Sequence, residues 1–175
     1  MFKFFRKKPA VVDSRAPIEK WVLNDTVFTK FLPVAKKRFA GDEIMAYCYL
    51  NYAQCLASDY GSLPLGERSF LLANFIKPDA PVEINLSSKE KAALQMNACL
   101  TPKEFDPIIT TSIDNLKEVW ETFEGSLSNS DSQLLSGKPP AADARKYHTE
   151  FWHGRFTKVV EFIKPTLVIP VQRRN

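Results

Sequence analysis

The sequence predicts an all-α fold, a compact single-domain bundle of six or seven helices. Several long segments carry apolar residues at intervals of three and four, which is the spacing of an amphipathic helix. One further segment is apolar around its whole circumference and therefore suits the centre of a bundle. The hydrophobic share is 45% over 175 residues, and a chain of this length can bury one proper core.

The first helices are predicted around the segment "IEKWVLNDTVFTKFL". Pro17 precedes it, and proline is favoured at the first position of a helix. Asn24 and Asp25 are good capping residues, so a second helix can begin there. Pro33 either kinks that helix or opens another one, and Gly41 is expected to end it.

The central helix is predicted at residues 44–57, "IMAYCYLNYAQCLA", with Asp42 as its cap. This is the most apolar run of the chain, but Asn51 and Gln54 interrupt it. A membrane-spanning helix needs about 20 predominantly apolar residues. We therefore predict a buried core helix and no transmembrane segment.

The middle of the chain mixes helical and extended patterns. The segment "ERSFLLANFIKP" predicts a helix that ends before Pro78. The alternation in "VEINL" is typical of a strand, and together with "TLVIP" it would allow a small two-stranded β-ribbon. Ser87 and Glu90 have the spacing of a capping box and predict the start of another helix.

The most regular helix is expected to open at Asp106 and Pro107 and to end at Gly125. Its apolar positions recur at four, three, four and three residues, with acidic residues beside them. They are Ile109, Ile113, Leu116, Trp120 and Phe123. The last long helix is predicted in "AADARKYHTEFWHGRFTKVVEFIK", before Pro165.

These elements predict one helical domain, residues 17–165, between two termini of other character. Residues 1–16 form a basic, aromatic arm, and residues 166–175 an extended tail. The Ser-rich connection 126–140 inside the domain is expected to be mobile. We find no internal repeat and no second domain.

Charge is distributed unevenly along the chain, whose formal net charge is +4. Residues 1–40 hold ten Lys and Arg against three Asp and Glu, and residues 132–175 hold eight against three. The residues between them are acidic. The basic ends either pack beside the acidic middle or form a surface for nucleic acid or anionic lipid.

The stretch "YHTEFWHGRF", residues 147–156, contains both histidines of the chain. His148 and His153 are five residues apart, so on a helix they point in directions too different to share one metal ion. The spacing is not that of the HExxH zinc signature. We predict no metal site here and place His153 on the polar side of the helix.

Arg155 and His148 project from the apolar face of the same helix, beside Trp152. A buried guanidinium needs a partner, so we expect either an ion pair with the acidic helix or an arginine that extends to the edge of the core. The candidate carboxylates are Asp114, Glu118 and Glu121. The alternative is a pocket for an anionic ligand or a partner's carboxylate. Arg155, His148 and Trp152 are therefore candidate binding residues.

The N-terminal arm interleaves aromatic and basic side chains. These candidate binding residues are Phe2, Phe4, Phe5, Arg6, Lys7 and Lys8. Such a mixture suits an anionic membrane surface, stacking on single-stranded nucleic acid, or a protein partner. It also suits an arm that is disordered or docks on its own domain.

Recognisable catalytic motifs are absent from the sequence. It contains no GxxxxGK[ST], GxGxxG or GxSxG. Cys48, Cys55 and Cys99 lie on apolar stretches expected to be helical, where a thiol is normally inert. We expect neither a cofactor nor a catalytic residue. Whether the chain is an enzyme stays open, with the pattern favouring a non-enzyme.

The predicted function is a non-enzymatic protein-interaction module: an adaptor, inhibitor, immunity or assembly component. The alternatives are a nucleic-acid-associated protein that uses the basic termini, and an enzyme with an unfamiliar all-α site near Arg155 and His148. Cysteine usage and small size suggest the cytoplasm of a bacterium or phage. The arm would also allow a peripheral position at the inner face of the membrane.

Overall fold

Helices dominate residues 17–128, 135 and 149–167, which are the residues that the computed structural model describes. In chain order they are α1 (Pro17–Trp21), α2 (Asp25–Lys37), α3 (Gly41–Tyr60), α4 (Leu65–Leu71), α5 (Ser88–Met96), α6 (Pro102–Ser126) and α7 (Thr149–Ile163). α4 continues into a π-helical segment, Leu72–Ile76. Apart from α1, which has only five residues, six helices are described in this part of the chain. The predicted helical bundle is confirmed.

Helix α3 is the centre of the bundle, as its apolar sequence predicts. It packs against α6 and α7 and also contacts α2. Side chains around its whole circumference are buried, among them Ile44, Tyr49 and Ala53. The helix begins at Gly41, so Asp42 lies in its first turn and is not its cap. Gly61, in the left-handed conformation with φ of 81°, follows its last residue.

Helix α2 confirms the capping predicted at its start. The side-chain oxygen of Asn24 accepts hydrogen bonds from the amides of Thr26 and Val27, at 3.0 and 3.1 Å. The helix runs through Pro33 to Lys37 as one element, so no separate helix opens at the proline. It ends before the predicted terminator, Gly41, which belongs to α3.

Helix α6 begins at Pro102, so the prediction that Asp106 and Pro107 open it is wrong. The start is fixed upstream, because the carboxylate of Glu104 accepts a hydrogen bond from the amide of Thr101 at 2.7 Å. Pro107 lies inside the helix. The predicted apolar seam is confirmed except that Ile109 is only partly buried. Its buried members are Ile113, Leu116, Trp120 and Phe123, joined by Phe105 and Ile108.

The segment "VEINL" is extended but forms no strand in the described part of the chain. The burial predicted from its alternating pattern is confirmed, since Val82 and Ile84 are buried. Their amides, however, donate to the carbonyl oxygens of Asn74 and Phe75, at 3.0 and 3.1 Å. A helix end leaves such carbonyls without partners. The segment therefore pairs with the π-helical turn, and the β-ribbon is not formed by the described residues.

The predicted arm, residues 1–16, lies outside the described residues. So do most of the connection 126–140 and most of the tail 166–175. The boundaries proposed for these segments stay predictions.

Candidate functional site

Arg155, the buried cation predicted on α7, is held by contacts within the chain. Its side chain is 4% exposed. One terminal nitrogen donates to the carboxylate of Asp25, and the other donates to the backbone oxygen of Leu23 at 3.1 Å. The guanidinium also lies over the rings of Phe28 and Phe151, at 4.6 and 4.7 Å from their centroids. These contacts pair the buried charge within the chain, while the Nε of Arg155 is buried without a hydrogen-bond partner among the described residues.

The predicted partner of Arg155 is wrong, since the ion pair joins α7 to the start of α2 and not to the acidic helix α6. Helix α7 packs against α3 and contacts α2, which brings Asp25 to the guanidinium. On α6, the carboxylate of Asp114 pairs with Lys117 at 2.5 Å. Glu118 and Glu121 lie on its exposed face.

Two other residues of the stretch 147–156, Trp152 and His153, contact tyrosine rings of α3. Trp152 is half-buried, and its ring meets Tyr47 edge-on with centroids 5.7 Å apart. His153 does not face the solvent as predicted, because its ring lies 5.2 Å from that of Tyr52 and its Nε2 is buried. His148 lies outside the described residues. So do all six candidates of the arm.

A tyrosine–carboxylate cluster links α3 to the first turn of α4. The carboxylate of Glu67 accepts hydrogen bonds from the hydroxyls of Tyr49 and Tyr52, at 2.9 and 3.2 Å. Burial, and then the neighbouring Glu67, raise the pKa of Tyr49 well above its ordinary value. The tyrosine therefore keeps its proton, and the cluster acts as a structural tie between two helices.

The three thiols differ in their exposure to solvent, although the sequence places all of them on similar apolar stretches. Cys48 is buried, which raises its pKa far above the ordinary value, and burial raises the pKa of Cys55 to about 11. Cys99, by contrast, is exposed between α5 and α6, where a helical stretch was expected. The two helical thiols are thus protonated at neutral pH.

None of the helices in the described residues combines the length and the apolar character that a membrane-spanning helix needs. No group of three or more His, Cys, Asp and Glu side chains in those residues could hold a metal ion.

Sequence reasoning missed Phe39, an exposed aromatic residue in the turn after α2. It follows α2 in the left-handed conformation, with φ of 58°, and its side chain is 96% exposed. Its amide donates to the carbonyl of Lys36 at 3.2 Å, and the amide of Ala40 donates to that of Ala35 at 2.9 Å. This is a complete Schellman motif, in which the left-handed position usually belongs to glycine.

A groove opens between the last turns of α2 and α6, and one of its lining residues, Arg38, directly precedes Phe39 in the sequence. It has a volume of about 300 Å³ and is lined by Val34, Lys37, Arg38, Thr122 and Ser126. We call these five residues together with Phe39 the Phe39 surface. It combines an exposed aromatic ring, a side-chain-sized groove and two cations.

The ends of three helices meet near this surface. Lys36, one residue before the groove-lining Lys37, donates to the backbone oxygen of Phe162 at 3.0 Å and lies over its ring at 5.0 Å. Gly41, two residues after Phe39, touches Ile163 so closely that an added Cβ would lie 2.6 Å from the isoleucine Cγ2. The C-terminal ends of α2 and α7 and the start of α3 therefore form one packed end of the bundle.

The sequence carries a partial signal for Phe39. The run "KKRFAGD" offers glycine two residues too late, so the left-handed position falls on a phenylalanine. Because Gly41 is the only glycine near the end of α2, the sequence pattern predicts the helix end at Gly41 and not at the turn that precedes it. Exposure of the ring follows only from how α2 and α3 are joined.

Comparison with known proteins adds no family to this geometry. No family model matches the chain, and neither a curated protein nor a solved structure matches it.

Proposed function

We propose that this chain is a non-enzymatic protein-interaction module, of the adaptor, inhibitor, immunity or assembly kind, which binds its partner through the Phe39 surface. The observation that carries the proposal is Phe39 itself. An exposed phenylalanine occupies a backbone position that favours glycine.

The energetics make Phe39 a poor choice for folding alone. A non-glycine residue in the left-handed region costs roughly 1–2 kcal/mol. A ring that is 96% exposed returns almost nothing through burial. Strained residues that the fold does not need are concentrated at functional sites. We therefore infer that Phe39 serves a contact outside the chain.

The groove supports the same function. Interface hot spots are typically aromatic or arginine side chains beside a pocket that the partner fills. Phe39 and Arg38 are adjacent and exposed, and Arg38 lines the groove. One end of the bundle thus supplies both an anchor to insert into a partner and a pocket to receive one.

The test uses the chain as bait in lysate of its own organism, with nuclease treatment. Phe39→Gly removes the ring at a position where glycine is favoured, so the variant should remain folded. Asp79→Gly is the matched control, because Asp79 is also exposed and has φ of 59°. We expect a protein that the wild type and Asp79→Gly retain and Phe39→Gly loses.

Two results would contradict the proposal. A partner retained equally by all three baits would show that Phe39 is not an anchor. Retention that nuclease abolishes would favour the alternative function, a nucleic-acid-associated protein. The cytoplasmic setting rests on the three free cysteines and stays a prediction.

A further inference from the structure

We propose that the partner of the Phe39 surface is an acidic protein segment, in which a large apolar side chain stands next to carboxylates. The inference rests on the proposed function and specifies its ligand. The apolar side chain would enter the groove, and the carboxylates would contact Lys37 and Arg38.

The two cations that line the groove are available for a ligand. Lys37 and Arg38 are exposed and form no hydrogen bond through their side chains, and no ion pair, with the described residues. Lys36, the third cation of this turn, is engaged with Phe162. A helix C-terminus attracts cations through its dipole, which explains part of this composition. This interaction with the dipole leaves the side-chain nitrogens of Lys37 and Arg38 free to contact carboxylates of a ligand.

The lining of the groove suits an apolar side chain better than a charged one. Val34 supplies an apolar wall. The hydroxyl of Thr122 donates to the backbone oxygen of Glu118 at 3.0 Å, and that of Ser126 donates to Phe123 at 2.8 Å. Because both hydroxyl protons are used within α6, the groove offers no free donor from these two residues to an anion inside it. Charge recognition at the groove therefore depends on Lys37 and Arg38.

The charge of the neighbouring helix favours a short acidic segment over an extended polyanion. Acidic side chains are exposed along α6, the helix that supplies Thr122 and Ser126 to the groove. They are Asp114, Glu118, Glu121 and Glu124. An anionic membrane plane or a nucleic-acid strand reaching Lys37 would lie alongside these carboxylates and be repelled. A short peptide can contact Lys37 and Arg38 without extending over them.

The experiment selects binders from a displayed library of random short peptides and measures their affinity by fluorescence anisotropy. We expect selected peptides to combine a large apolar residue with Asp or Glu. Replacing those acids by Asn or Gln should weaken binding. The double charge reversal Lys37→Glu/Arg38→Glu should weaken it roughly tenfold or more. Lys89→Glu/Lys103→Glu, at exposed positions in the first turns of α5 and α6, is the control and should have no effect.

The outcomes separate this inference from the proposed function. Peptides that need Phe39 but ignore the reversal at Lys37 and Arg38 would overturn the acidic partner and leave the interaction module intact. If no peptide binding depends on Phe39, the acidic segment is overturned, and the capture experiment with Phe39→Gly decides the interaction module separately. Phe39-dependent binding to vesicles of phosphatidylcholine and phosphatidylserine, without peptide binding, would replace the protein segment by a lipid surface. Self-association that Phe39→Gly abolishes would identify a second copy as the occupant.

Discussion

Arg155 and Asp25 form an ion pair whose two members lie in different environments. The arginine side chain is 4% exposed, whereas that of the aspartate is 86% exposed. They are 130 positions apart in the sequence, so the pair closes the bundle between α7 and the start of α2. Because only the arginine is buried, substitutions of Arg155 and of Asp25 should lower the free energy of unfolding by different amounts.

Asp25→Ala should destabilise the protein more than Arg155→Met. Removing Asp25 leaves a buried guanidinium without its counter-charge, which we expect to cost about 2–4 kcal/mol. Removing Arg155 leaves an exposed carboxylate that water solvates, and methionine fills the space between Phe28 and Phe151. We expect that loss to be about 1 kcal/mol. Denaturant unfolding of both single variants and the double variant measures this.

The double variant Asp25→Ala/Arg155→Met should recover most of the loss caused by Asp25→Ala alone. A reversed order of the single variants, or no recovery in the double variant, would contradict the ion-pair account. It would also reopen the reading of Arg155 as a site for an external anion.

Gly41→Ala should destabilise the protein because α3 and α7 approach each other closely at this position. The new Cβ would lie 2.6 Å from Cγ2 of Ile163, and such overpacking typically costs about 1–3 kcal/mol. In an Ile163→Ala background the clash is absent, and Gly41→Ala should be neutral or slightly stabilising. Thermal unfolding of the four proteins tests this change of sign. An equal loss in both backgrounds would show that the contact is not close.

The three cysteines should react with a thiol reagent in the order of their exposure. Cys99 is exposed and should be modified first in the folded protein. Cys55, half-buried with its pKa raised to about 11, should react slowly. Cys48 should react only when the protein unfolds. Mass mapping of the modified peptides over time identifies each site, and early modification of Cys48 would contradict the central position of α3.

The sequence predicts the helices of the fold better than it predicts which residues contact each other between them. The buried face of α6 follows from its apolar spacing, and the cap at Asn24 follows from residue type. The partner of Arg155 does not, because several exposed carboxylates were equally plausible until α2 and α7 were placed side by side. Similarly, the alternation of Val82 and Ile84 shows which side is buried but not what their amides meet.

The candidate site could be predicted only in part. The sequence predicts basic binding residues near the start of the chain, but the arm that carries them, residues 1–16, lies outside the described residues. Phe39 belongs to a turn, and its left-handed conformation depends on where α2 ends. Ala35 and Ala40, on either side of this turn, are both buried in the core, and no local pattern reveals that packing.

Glu43 should make the protein more stable as the pH falls through its folded pKa. Burial raises that pKa above the ordinary glutamate value, more than hydrogen bonds from Asn115 and Asn85 lower it. The folded state therefore takes up this proton at a higher pH than the unfolded state does. Stability from this group is fully present below the unfolded pKa and is lost as the pH rises through the folded pKa.

Glu43→Gln isolates this effect because glutamine does not titrate. Glu83, Glu90 and Glu104 have lowered pKa values and act in the opposite sense, but they contribute equally to both proteins. In urea unfolding, wild type should gain stability relative to Glu43→Gln between the folded pKa and the ordinary carboxyl range. A difference that is constant with pH would contradict the burial of Glu43.

The free energy of unfolding of Phe39→Gly tests the central claim, that Phe39 is retained for binding at the expense of the fold. Glycine relieves the left-handed strain and removes a ring that contributes almost no burial. We predict a gain of about 1 kcal/mol over wild type, with Phe39→Ala giving no such gain because the strain remains. A Phe39→Gly protein that is less stable than wild type by a similar amount would show that the ring supports the fold, and the claim would then be wrong.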